Sequence, residues 1–82
     1  MDKRGVHTSA TEYGELVMNC IIQVICPHFK GMGVVTNYTT NCIVLEPHSD
    51  KVLEEEYGES ITHKVIVPFT EISVTIILKD NI

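Results

Sequence analysis

Between residues 19 and 79 the chain is a succession of short apolar runs, each broken within a few residues by proline, glycine or a small polar cluster. That rhythm predicts short β-strands joined by tight turns. In 19–26, NCIIQVIC, one parity (Cys20, Ile22, Val24, Cys26) is wholly apolar, while the other mixes Asn19 and Gln23 with Ile21 and Ile25. This predicts a strand with one core face and one half-exposed face. Pro27-His28 makes a turn, and "GVVTNYTTNCIVLE" (33–46) reads as a hairpin of strands 33–37 and 41–46 with an uncharged tip. Residues 42–45 are apolar on both parities, which predicts cover on both faces. Pro47 then ends the strand, because proline cannot continue the ladder.

Further strands are predicted at 61–69, where Pro68 permits a bend or an edge position, and at 72–79. In the last, Ile72, Val74, Ile76 and Leu78 alternate with Ser73, Thr75, Ile77 and Lys79. A brief 3₁₀ turn is expected over 70–72. Residues 1–9 read as a flexible N-terminal arm. Ser9 and Glu12 have capping-box spacing, predicting a short helix over 10–18. Gly14 weakens that helix by about 1 kcal/mol, so it needs docking to persist. Residues 48–60, HSDKVLEEEYGES, read as an acidic variable loop, with loop or strand extensions rather than a separate element. The total is a mainly β domain over 10–82: a short helix, then a strongly bent, five-stranded antiparallel barrel of the SH3-like kind.

Size and charge bound the function. Eighty-two residues form one domain with a small core, and such domains often lean on metals, disulfides or partner subunits. The longest uncharged apolar stretch, 16–26, contains Asn19 and Gln23 and is too short to span a bilayer. No basic region precedes an apolar one at the start, so no secretory signal is expected. Three cysteines, Cys20, Cys26 and Cys42, each in an apolar run, suit buried, reduced thiols in a cytoplasm. The net charge of −5 resides in one segment: six acids (Glu46, Asp50, Glu54, Glu55, Glu56, Glu59) face Lys51 alone, while the rest of the chain is balanced. With no basic stripe to collect phosphates, strong non-specific nucleic-acid binding is not expected.

No catalytic or metal constellation stands out. Cys26-Pro27-His28 with His48 and His63 lacks the close ligand spacing of a zinc site. Nothing orients a base beside a thiol, Glu54–56 is a solvated charge run, and "KGMG" lacks phosphate-loop spacing. No enzyme and no cofactor is expected.

Gly33 adjoins an apolar strand rather than a turn cluster, which favours a strand bend over a loop-end glycine. With that glycine, "CIIQVICPHFKGMGVVTNYTTNCIVLE" (20–46) resembles the first three strands of the Sm-like family, which includes the bacterial RNA chaperone Hfq. Phe29 falls on the family's aromatic after the first turn, Gly33 on its strand-two glycine, and Tyr38 on the aromatic opening its third loop. "VIVPFTEISVTIIL" (65–78) stands where the family has its paired fourth and fifth strands. The resemblance covers most of the chain.

It implies a homo-oligomeric ring of five to seven copies, joined by strand four of one copy and strand five of the next. The candidate interface residues are then Val65, Ile66, Val67, Val74, Ile76 and Ile77. It also implies binding of single-stranded RNA by Tyr38, Thr39, Thr40 and Asn41, with His63 and Lys64 as the nearest basic pair. Thr39 stands where the family has an aspartate, and Phe69-Thr70 where Hfq has a Lys-His pair. Tyr38 could stack a base or could be a structural tyrosine at a strand end. Two other functions are compatible with the residues: a protein-interaction module using the acidic segment 48–60 as its handle, and a PRC-type barrel, whose terminal strands "KVIVPFTEI" also resembles.

Overall fold

The computed structural model describes residues 10–80, so the arm 1–9, and Ser9 of the expected capping pair, lie outside it. Helix α1 (Ala10–Val17) leads into β1 (Ile21–Cys26), β2 (Phe29–Tyr38) and β3 (Cys42–Glu46). Helix α2 (Lys51–Tyr57), β4 (Val65–Pro68), a 3₁₀ turn (Phe69–Glu71) and β5 (Val74–Lys79) follow. The strands form one antiparallel sheet in the order β4-β3-β2-β1-β5. Among the described residues no helix is long and apolar enough to cross a membrane.

Asn19 ends α1 in the left-handed region, at φ +63°, a conformation asparagine tolerates better than most residues. Its N–H donates to the Val35 carbonyl at 2.9 Å, and Val35 donates back to Cys20 at 3.0 Å. These bonds fix where the helix stops and the sheet begins. The core gathers Val17 of α1 and Cys20 with Ile22, Val24, Val35, Ile43, Leu45 and Val67 from four strands. Tyr13 locks the helix down from the other side. Its ring meets Phe69 edge to face at 5.1 Å between centroids, and its hydroxyl pairs with that of Thr75. Burial pushes the Tyr13 phenol above its ordinary pKa, against the opposing effect of the Thr75 hydrogen bond.

Two glycines answer to close approaches. Gly33 sits in the middle of β2, and a β-carbon there would lie 2.5 Å from the carbonyl oxygen of Glu46. The end of β3 therefore crosses the space that a side chain would fill, which a residue without a β-carbon leaves open. Gly14 lies directly under the ring of Tyr38, whose carbons occupy the site of any β-carbon. The glycine that weakens α1 as an isolated helix is the one that lets it dock.

Several expectations change. The sheet is not closed into a barrel: β4 pairs only with β3, and β5 only with β1. β4 has four residues, of which Pro68 lacks an N–H, and the 3₁₀ turn carries the chain away from β3 to the far side of β1. The strand expected over 61–69 is thus only its C-terminal part. The acidic segment is not all loop, because Asp50 caps α2 by accepting the Leu53 N–H at 3.2 Å. β1 is covered on both faces: Ile21 and Gln23 are buried with Ile22 and Val24, while Cys26 is only half-buried. In β3 the reverse holds, with Ile43 and Leu45 buried and Cys42 and Val44 half-buried.

Gly14→Ala tests the docking. Helix propensity alone would favour alanine by about 1 kcal/mol, whereas overpacking against Tyr38 is expected to destabilise by about 1–3 kcal/mol. Chemical denaturation should show a loss of stability in the wild-type background and a neutral or favourable effect in Tyr38→Ala. Gly33→Ala should cost at least as much in either background, since the atom it meets is backbone.

Candidate functional site

The tip of the β2–β3 hairpin is a turn that consumes its own polar groups. The Thr39 N–H donates to the Cys42 carbonyl at 2.8 Å. The Thr39 hydroxyl oxygen accepts the N–H groups of Asn41 and Cys42 at 3.0 and 3.1 Å and lies 3.3 Å from the Cys42 sulfur. A threonine at this position thereby makes the side-chain-capped turn that aspartate also makes, without the charge. Tyr38, half-buried, rests its ring on Gly14, so part of its aromatic surface serves the core. Thr40 and Asn41 are exposed.

The partner of this turn in space is the 3₁₀ turn. Phe69 donates its N–H to the Asn41 carbonyl at 3.0 Å, which brings residues 38–41 and 69–71 onto one end of the sheet. Thr70 and Glu71 are exposed there. His63 and Lys64 are elsewhere. Antiparallel pairing sets Cys42 opposite Pro68 and Leu45 opposite Val65, so the basic pair precedes β4 at the end remote from the turn. His63 Nδ1 lies 2.8 Å from the Thr62 hydroxyl, and both basic residues are exposed. The six candidate RNA residues therefore fall into two groups at opposite ends of β4. The charge that Glu71 brings to the turn face is negative.

The candidate interface residues line the two open edges. On β4, Ile66 is 62% exposed and Val65 half-buried; on β5, Val74 is 47% and Ile77 39% exposed, with Ile76 half-buried. Val67 departs from this set, because its side chain is buried in the core. An apolar groove of about 210 Å³ runs beside the β4 edge, between Ile66 and Pro68 on one side and Cys26, His28 and Phe29 of the β1–β2 turn on the other. Burial, reinforced by the Glu71 carboxylate, raises the Cys26 pKa, which keeps the thiol protonated and poorly nucleophilic near neutral pH.

The acidic segment presents a third surface. α2 buries no residue, and Val52 is 76% exposed beside Glu54, Glu55 and Glu56. The Glu56 carboxylate raises the phenol pKa of Tyr57. What ties this helix to the sheet is Gln23, only 5% exposed, whose side-chain amide donates to the Tyr57 carbonyl at 2.9 Å. Four residues beyond the helix, the Ile61 N–H donates to the Met32 carbonyl at 2.9 Å. Sequence reasoning missed α2 because its glutamates hide any apolar stripe. The available signals were its ends, Asp50 as a helix cap and Gly58 as a stop. Among the described residues no group of three His, Cys, Asp or Glu side chains is placed to hold a metal ion.

The raised Cys26 pKa sets a chemical expectation. At pH 7.5 iodoacetamide should alkylate Cys26 more slowly than a free cysteine, the rate rising as pH passes the ordinary thiol range. Peptide mass spectrometry of timed samples reads this directly. Reaction at the free-cysteine rate would contradict the protonated, half-buried thiol.

No family model matches this chain, and no curated protein or solved structure does either.

Proposed function

We propose that this chain is a non-enzymatic, self-associating β module of the Sm-like type, whose copies join edge to edge into a ring. The observation that carries the proposal is the pair of edge strands, β4 and β5, each with one side unpaired among the described residues, at opposite ends of one sheet. Each bears exposed apolar side chains: Ile66 on the first, Val74 and Ile77 on the second. An open strand edge offers unsatisfied backbone donors and acceptors to any second strand. A chain carrying two such edges repeats the same contact head to tail, and the series ends only when a ring closes. Strand addition between copies would also supply the sheet continuity that one copy lacks. Free thiols at Cys20, Cys26 and Cys42 support a reducing compartment such as the cytoplasm.

Single-stranded RNA is the ligand class that the resemblance adds. In a ring, the Tyr38–Asn41 turns and the adjoining 3₁₀ turns of all copies would gather on one face. Recognition there would rest on Tyr38 stacking, on the Thr40 and Thr70 hydroxyls and on the Asn41 amide, with Glu71 repelling phosphates. Such binding would be weak and only shallowly salt-dependent, since few phosphates are neutralised. A second reading is a scaffold that holds a protein partner, and the exposed Val52 amid the glutamates of α2 favours it. RNA binding and α2-mediated protein binding would be carried by different faces, so substitutions separate them.

Size-exclusion chromatography with light scattering on purified protein is expected to give a mass of five to seven chains. Ile66→Lys or Val74→Lys should shift it to the monomer with an unchanged far-ultraviolet dichroism spectrum, because each removes apolar burial of about 1.5–3 kcal/mol per contact. The chain has no Trp and three Tyr, so co-purified nucleic acid would raise the 260 nm absorbance visibly. Nucleic acid released by Tyr38→Leu would support the RNA reading, and a clean ring would support the scaffold. A wild-type monomer at micromolar concentration would overturn the proposal.

A further inference from the structure

We draw no further inference here: the strongest candidate, the apolar groove between β4 and the β1–β2 turn beside Cys26 and Ile66, belongs to the open edge already assigned to self-association, and nothing in the structure shows any other occupant covering it.

Discussion

The carbonyl oxygen of Glu46 passes through the space that a side chain on residue 33 would occupy, and the shape of the molecule follows from that crossing. β2 is ten residues long, yet it serves two different neighbours along its length. Its first half, up to Val34, pairs with β1, and from Val34 onward it also pairs with β3. β3 therefore leaves β2 just where Gly33 makes room for it. The vacated flank of β2 is taken by the returning chain, with Ile61 bonded to the Met32 carbonyl. Ile43 and Leu45 of β3 and Val67 of β4 share one core cluster with Ile22 and Val24 of β1. A residue with a β-carbon at 33 would have to push the two strands apart and loosen that layer.

The sheet is not closed into a barrel, and this has an energetic consequence. A closed barrel has no edge, whereas this sheet has two. Protection at those edges is partial. β4 is short and ends in Pro68, and β5 ends in Lys79, features that discourage casual strand addition. Against them stand Ile66, Val74 and Ile77, large apolar groups left in contact with water on a chain whose core is small. Pairing of edges between copies would satisfy the backbone and cover these side chains in one step. The proposed self-association would thus draw on these open edges rather than on the hairpin tip. The Thr39 hydroxyl is spent on its own turn, and Tyr38 supports α1.

Much of the local structure was legible in the residues. Alternation located all five strands, but not all their starts: β2 begins at Phe29 rather than 33, β4 at Val65 rather than 61 and β5 at Val74 rather than 72. Long-range cover was not legible. Gln23 looked like a residue of a half-exposed face, because its partner is a backbone carbonyl thirty-four positions away on α2. Val67 looked like an interface residue because alternation gives a side chain's parity but not which parity meets the core. His63 and Lys64 looked adjacent to the turn when 61–69 was taken as one strand. With β4 reduced to Val65–Pro68, they fall before it, at its far end. Closure of the sheet depends on how far each strand coils, and no periodicity in the sequence encodes that angle.

Amide hydrogen exchange on the native protein, followed residue by residue at two protein concentrations, tests the edge-to-edge account most directly. Among the described residues, pairing with β3 and β1 leaves the outward amides of 65–67 and Val74–Lys79 without a strand partner in a lone copy. The account predicts that these outward amides exchange rapidly in dilute protein and become at least ten-fold slower when concentration drives assembly, while Thr40 and Asn41 stay unchanged. Equal exchange of both edges at low and high concentration would contradict it.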